Sequence, residues 1–321
     1  MLAVYAKGPE FADPLSALMI GERPEPVVPD GWVRVRISAA SLNRHDLWTL
    51  RGVGVHPLKF PTILGCDGAG VLDDGSEIVL YPVITSTNWC SDETLDPGYS
   101  VFSEIHQGTL ADYVIAPRRN VLPRPDSLSP VSAAALGTAW LTAYRMLFSK
   151  SGLQPGMTML IQGASGGVAT ALIQLGRAAG MEVWVTGRTD RKRADAEALG
   201  AHRTFAPGEA LPHRVDAVFE SVGEATWAHS LESVRRGGTI VVVGMTSGNN
   251  PPTNILRIFV EQITIVGSAM GTLQDMRNLI HFVVTSGIVP KIGLTLPLRE
   301  AAEGFRAMWE DRTSGKVVFT R

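Results

Sequence analysis

The stretch Met157 to Arg188, MTMLIQGASGGVATALIQLGRAAGMEVWVTGR, constrains the fold more than any other part of this chain. It begins with a short apolar run, Met157 to Gln162, of the length and composition of a buried parallel strand. A turn of small residues follows, Gly163-Ala164-Ser165-Gly166-Gly167-Val168-Ala169. A helical apolar pattern then runs through Leu172, Ile173, Leu175 and Ala178 to a stop at Gly180. A second strand, Glu182 to Thr186, completes a βαβ crossover. The turn carries no bulky side chain, so backbone N–H groups at the helix start can approach a pyrophosphate. Ala164 and Ala169 stand at the outer glycine positions of GxGxxG, and the strand–turn–helix–strand context supplies what the motif alone lacks.

The end of the second strand selects the dinucleotide. An NAD site places Asp or Glu there to bind the ribose hydroxyls. Here the sequence reads Thr186-Gly187-Arg188-Thr189-Asp190-Arg191-Lys192-Arg193, with Gly187 at the acidic position. A 2′-phosphate is repelled by a carboxylate and held by a guanidinium fork, so Gly187 and Arg188 predict NADPH. Arg191 to Arg193 also read as a solvated basic helix start.

A chain of 321 residues exceeds the size at which one core keeps growing, so two domains are expected. A net charge of −2 with 45% apolar residues fits a soluble protein with no nucleic-acid partner. No apolar run reaches the ~18 residues of a membrane span, and Met1 to Tyr5 leads directly into a strand-like pattern without a signal peptide. Two cysteines, Cys66 and Cys90, are too few for a disulfide framework, which suggests a cytoplasmic protein with reduced thiols.

Short runs at Trp32 to Ile37, Gly70 to Leu72, Glu77 to Tyr81 and Ala111 to Ile115 predict a small barrel. Turn residues separate them, among them Pro29-Asp30-Gly31 and Asp73-Asp74-Gly75. Ser129-Pro130 starts a helix over Val131 to Phe148. Strands at 158–162, 182–186, 216–220, 239–243 and 263–267 alternate with helices, which predicts a doubly wound parallel sheet. Helical patterns near 272–286 and 299–310 and a last strand, Lys316 to Thr320, close the chain.

Four segments in order, SLNRHDLWTLRG (41–52), LGCDGAGVL (64–72), the GASGGVA turn and SGKVVF (314–319), resemble the medium-chain dehydrogenase/reductase superfamily. So does DAVFESVGEATWAHSLESVRRGGTIVVVGMTSG (216–248), and the likeness spans nearly the whole chain. The resemblance implies an α/β protein of two domains. One is a GroES-like, partly open β-barrel over 1–130 and 270–321; the other is a Rossmann doubly wound parallel sheet over 131–269. It places the active cleft between them and carries the expectation of a homodimer. The apolar run Ile263 to Gly267, near the sheet edge, invites pairing with a second copy.

Zinc-dependent members of the superfamily present two thiolates and a histidine followed by an acid, as zinc requires. At the matching positions this sequence has Asn43, Cys66 followed by Asp67, and Thr138. Where the superfamily's structural-zinc lobe has four close cysteines, only Cys90 remains. The chain therefore resembles the zinc-free quinone oxidoreductase and enoyl reductase branch, and no metal is expected. Its chemistry is hydride transfer from a nicotinamide to an electron-poor carbon of a quinone or α,β-unsaturated carbonyl.

A protein donor must then polarise or protonate the carbonyl oxygen. Asn43 offers an amide N–H, and His45 stands where the dehydrogenases place a relay hydroxyl. As an alternative, His45 only satisfies a local hydrogen bond. Asp46 orients its neighbours, and Thr138 lies near the nicotinamide. Cys66 reads first as a small buried hydrophobe and second as a nucleophile. By position, Arg44 and Lys316 match cations that meet the pyrophosphate. Ser165, Gly166, Gly167 and Val168 join the turn contacts. Ser221-Val222 and Gly244-Met245-Thr246 end two strands where ligands of doubly wound sheets bind. Ala269 and Met270 reach toward the nicotinamide, with core packing the alternative for Met270; Trp48, Trp89 and Tyr99 are candidate pocket walls, with the barrel core the alternative for Trp48. Two other readings stay open: an alcohol dehydrogenase, and an NADPH-binding sensor or interaction protein without turnover.

Overall fold

The structure, a computed structural model, describes residues 1–54 and 57–321. It divides into two compact units, Met1–Leu141 with Gly271–Arg321, and Thr142–Met270.

The first unit is built on a seven-stranded sheet. Its long strand Trp32–Leu42 pairs antiparallel with Asp67–Leu72, with Tyr113–Pro117 and with the C-terminal strand Lys316–Thr320. Register Val317↔Leu42 brings the first residues of that C-terminal strand beside the start of the short helix Arg44–Leu50. A three-stranded sheet, in which Leu2–Ala6 pairs with Leu18–Glu22 and Thr62–Ile63, completes the barrel-like wall. Val35, Ile37, Leu42, Leu64, Leu80, Phe102, Phe305 and Phe319 form its core. Alternation along Trp32–Leu42 puts Val33, Val35 and Ile37 inward, the period-2 pattern of a strand with one wet face.

The second unit is a six-stranded parallel sheet. Its order is Arg203–Phe205, Glu182–Thr186, Thr158–Ile161, Val215–Glu220, Val234–Val242 and Thr264–Gly267. This is the 3-2-1-4-5-6 order of a Rossmann domain. The helix Gly167–Ala178 follows the glycine-rich turn and ends where Gly180 takes the left-handed conformation at φ 78°. Leu160, Trp184, Val218 and Ile240 anchor the core under the sheet.

The helical stretch expected over Val131 to Phe148 is interrupted. Pro130–Ala134 is an α-helix, and the chain then widens into π-type turns at Leu136–Trp140 and Arg145–Lys150. Its first turns pack on the strands of the first unit, so the division between units falls after Leu141, later than residue 130.

Candidate functional site

The strand Trp32–Leu42 delivers Ser41 and Asn43 to one place, and the helix Arg44–Leu50 begins there. Asp46, three residues on, turns back: its Oδ2 accepts the Asn43 N–H at 2.8 Å and its Oδ1 accepts the Gly65 N–H at 2.6 Å. Asp46 is fully buried, and burial pushes its carboxyl above the ordinary range against the pull of His45 and the two amides. It fixes the start of the helix and the turn before Cys66.

Asp67 is the hub, with no exposed surface. Its Oδ1 accepts from the Thr138 N–H and hydroxyl, each at 2.6 Å. Its Oδ2 accepts from Asn43 Nδ2 at 2.8 Å and Lys316 Nζ at 3.1 Å, with Ser41 Oγ at 2.9 Å. Lys316, 2% exposed, also donates to Asn43 Oδ1 at 2.6 Å and to the Leu42 carbonyl at 3.0 Å. The π-type turn explains how a helix reaches so close. A Cβ on Gly137 would lie 2.3 Å from Asp67 Oδ1, a contact that only glycine avoids.

His45 lies beside this hub. Its Nδ1 is 3.3 Å from Cys66 Sγ and its Nε2 is 3.1 Å from Glu104 Oε1. Cys66 and Glu104 are buried, and Cys66 Sγ is 3.2 Å from the Phe102 carbonyl. The thiol reaches both the Phe102 carbonyl and Nδ1, and the Glu104 carboxylate accepts from Nε2–H. Burial alone pushes the imidazole down, but the thiol, Glu104 and Asp46 outweigh it and hold His45 well above its usual value. Burial pushes the Cys66 thiol up against the pull of His45.

Asn43, His45, Asp46 and Thr138, expected from the sequence as catalytic, thus come together in the first unit. Lys316 departs from expectation. Its ammonium is enclosed by Asp67, Asn43 and Leu42 rather than presented to a pyrophosphate, because a buried carboxylate requires a buried cation. Arg44 is exposed at the helix start. Trp48 is half-buried with the Arg51 guanidinium 5.3 Å over its ring, and Trp89 donates to the Asp92 carbonyl within its own loop. Glu104 was not foreseen. It follows Ser103, whose left-handed φ of 67° turns the chain, in a loop with no periodic pattern to mark it.

A catalytic metal does not fit these residues. The Asp67 oxygens and Asn43 Oδ1 are already taken up by hydrogen bonds, and a lysine ammonium lies among them. Among the described residues, His45, Asp46 and Cys66 form the cluster with metal-ligand chemistry. Both Asp46 oxygens already hold backbone N–H groups, which leaves fewer free ligands in the cluster than the three that zinc requires.

In the second unit every expected cofactor residue lies at the carboxyl edge of the parallel sheet. Ala164, Ser165, Gly166, Gly167 and Val168 follow Thr158–Ile161, and the helix Gly167–Ala178 has no side-chain cap on its N-terminus. Arg188 follows Glu182–Thr186. Ser221 and Val222 follow Val215–Glu220, and Gly244 and Thr246 follow Val234–Val242. Ala269 and Met270 follow the edge strand Thr264–Gly267. A Cβ on Gly244 would lie 2.7 Å from the Ser221 carbonyl, so two of these turns meet through a glycine. At Gly187 a Cβ would meet Arg193 Cγ at 2.8 Å and Ala164 Cβ at 3.3 Å, which leaves little room for an acidic side chain.

Among the described residues no helix is long and apolar enough to cross a membrane. Residues 29–126 match the alcohol dehydrogenase GroES-like domain family, and residues 167–285 match the zinc-binding dehydrogenase family. An alcohol dehydrogenase of Geobacillus stearothermophilus is 30% identical, over 94% of this chain and 95% of that protein. A quinone oxidoreductase of Mus musculus is 26% identical, over 92% of this chain and 90% of that protein. The crystal structure of an NAD-dependent alcohol dehydrogenase superposes with a TM-score of 0.92 at 31% identity, with all of both chains covered. The chain therefore belongs to the medium-chain dehydrogenase/reductase superfamily of oxidoreductases, with a GroES-like and a Rossmann unit.

Proposed function

We propose that this chain is a cytoplasmic, zinc-free, NADPH-dependent reductase of quinones or α,β-unsaturated carbonyls. The observation that carries the reading is the ionisable cluster around His45. Asp46, Cys66, Asp67, Glu104 and Lys316 are at most 2% exposed, whereas the His45 side chain is 22% exposed. The cluster thus presents one proton to a substrate, and it comes from an imidazolium rather than from metal-bound water. Bound NADPH supplies the hydride. Asn43 keeps a second amide N–H besides the one on Asp67, available to a carbonyl oxygen, and its orientation is set by Lys316. His45 supplies the proton that the oxygen gains once hydride has been added.

The mouse relative's name supports a quinone substrate. The names of the relatives at 30% and 31% identity favour the second reading, an alcohol dehydrogenase. The two readings part on metal. NADPH oxidation with a panel of enones and quinones is expected to survive chelator treatment, and elemental analysis to find no stoichiometric zinc. One zinc per chain, lost together with activity, overturns the proposal. NADPH binding without turnover of any enone or quinone overturns it in favour of a binding protein.

The preference for NADPH rests on Gly187 and the exposed Arg188. Arg193 donates to the Gly187 carbonyl at 2.6 Å and pairs with Asp190, so it supports the turn instead of facing a ligand. Arg188→Ala is expected to weaken NADPH roughly ten- to a hundredfold and leave NADH nearly unchanged. Equal weakening of both cofactors refutes the assignment.

We further propose a homodimer through the sheet edge. Thr264–Gly267 ends the sheet, and the preceding helix Ile255–Val260 buries none of its residues. Ile255, Leu256 and Phe259 are 63–70% exposed, and Ile265 on the edge strand is 40% exposed. A contiguous apolar surface beside an open edge invites a symmetry mate. Light scattering is expected to give twice 34.5 kDa, and Phe259→Asp to shift the mass toward the single chain. A wild-type mass near 34.5 kDa at micromolar concentration contradicts this.

A further inference from the structure

A chain of hydrogen bonds crosses the second unit beneath the carboxyl edge of its sheet, and each link has a defined direction. It starts at His229, on the helix Glu224–Ser233. His229 Nε2 is 2.9 Å from the Glu209 carbonyl and 3.3 Å from Ser233 Oγ. A carbonyl only accepts, so Nε2 carries the proton and Nδ1 of the neutral ring presents a lone pair. The Gln162 Nε2 amide, 2.9 Å away, donates to that lone pair and sends its other proton to Ser230 Oγ at 3.0 Å. The carboxamide is thereby oriented with Oε1 toward Thr186, whose hydroxyl donates to it at 2.8 Å. Thr186 Oγ1 in turn accepts the Gly163 N–H at 3.1 Å, the first amide of the glycine-rich turn.

The second branch reaches the next turn of the edge. Ser230 Oγ donates to Glu220 Oε2 at 2.6 Å, and Glu220 Oε1 accepts the amides of Val222 at 2.7 Å and Gly223 at 3.0 Å. Gln162, Thr186, Glu220 and Ser230 are all buried, so water cannot replace a missing partner. His229 is half-buried. It borders a surface pocket of about 290 Å³ that is also lined by His213, Arg214 and Glu232, through which solvent protons reach it.

We propose that neutral His229 is a positioning residue for both cofactor-binding turns, and that its protonation loosens the dinucleotide site. A proton on Nδ1 would face the Gln162 amide protons. Either that bond breaks or the carboxamide turns over. Turning over deprives the Thr186 hydroxyl of its acceptor and sets Gln162 Oε1 against a Ser230 oxygen whose proton is committed to Glu220. Both outcomes disturb the supports of Gly163 and of Val222-Gly223 together. The groups that face His229 act in both directions. Glu232 in the pocket favours the proton, as does Glu220 behind Ser230. His213 disfavours it, as does Arg214, whose own guanidinium pairs with Glu261 at 3.0 Å.

The inference rests on the dinucleotide-binding part of the proposed function and not on the substrate. Its test is therefore binding, measured by cofactor fluorescence with NADH and with NADPH from about pH 8 to about pH 5.5. NADH has no 2′-phosphate, so its response is free of that group's own titration. Wild-type affinity for both cofactors is expected to fall on the order of tenfold over this range, the equivalent of about one hydrogen bond. His229→Asn places an amide oxygen near the position of Nδ1 without a titrating proton. It should flatten the NADH profile. Nitrogen-15 spectra of wild-type histidines provide a readout that needs no variant. They should show His229 as the Nε2–H tautomer at high pH, gaining its second proton in step with the loss of NADH. An NADH profile of the same slope in wild type and His229→Asn, or an Nδ1–H tautomer at about pH 8, overturns the proposal. Absence of cofactor binding at every pH overturns it together with the dinucleotide reading.

Discussion

Lys316→Met is expected to destabilise the first unit by about 3–5 kcal/mol, the cost of leaving a buried charge without its partner. The substitution keeps most of the aliphatic stem and removes an ammonium with three hydrogen bonds, to Leu42, Asn43 and Asp67. Asp67 would keep the Thr138, Asn43 and Ser41 contacts but lose its cation in a place with no exposed surface. Asn43 Oδ1 would lose its donor as well, so the carboxamide loses the anchor that orients it. Adding Asp67→Asn to the variant removes the unpaired charge and should return part of the loss. A double-mutant cycle on the first unit's urea transition measures the coupling between the two side chains. A Lys316→Met protein that unfolds at the wild-type midpoint contradicts the buried pair. Lys316→Arg is a sharper probe: a planar fork cannot reproduce three donors at a point, so charge alone should not restore wild-type stability.

The parts of this fold set by local pattern were readable in the chain. The strands Thr158–Ile161 and Glu182–Thr186 carry the apolar runs Met159–Ile161 and Val183–Val185 between flanking glycines, and buried parallel strands have that composition. The edge strand Arg203–Phe205 was not expected. Three residues with one buried side chain carry no periodic signal, and pairing to Trp184, Val185 and Thr186 makes it a strand. The expected single helix over Val131 to Phe148 widens at Leu136–Trp140, where Gly137 and Thr138 close on Asp67, a tertiary demand absent from the residues of the helix itself.

The candidate site shows the same division. Asn43 and Thr138 were singled out because they replace metal ligands, and the replacement chemistry is the Asp67 hub that joins them. Lys316 is 249 residues from Asp67 in sequence, and only the strand pairing Val317↔Leu42 brings them together. A position that matches a pyrophosphate-binding cation by resemblance therefore serves a buried carboxylate. Glu104 had no signal at all. An acid in an irregular loop becomes significant once the turn at Ser103 buries it against His45.

His45→Gln is expected to lower kcat for enone or quinone reduction by roughly 10²-fold, the lower end for loss of a general acid. Glutamine keeps a hydrogen-bond donor near Glu104 but cannot titrate, so cofactor affinity should not change while the pH dependence disappears. In the wild type an acid is required, so kcat should fall as pH rises through the proton affinity of His45. Cys66, Glu104 and Asp46 together outweigh burial and hold that affinity well above 6.5. The limb is therefore expected above the usual imidazole range, not within it. Stability follows the same sign. A raised value in the folded state contributes stability that is complete below about 6.5 and lost as pH rises through the folded value. Glu104→Gln separates the two partners: it keeps the shape, removes the charge, and should move the kcat limb to lower pH without abolishing it. A kcat profile that is identical in wild type and His45→Gln would return the imidazole to a structural role. The proton would then come from water or a substrate hydroxyl, with Asn43 left as the polarising group.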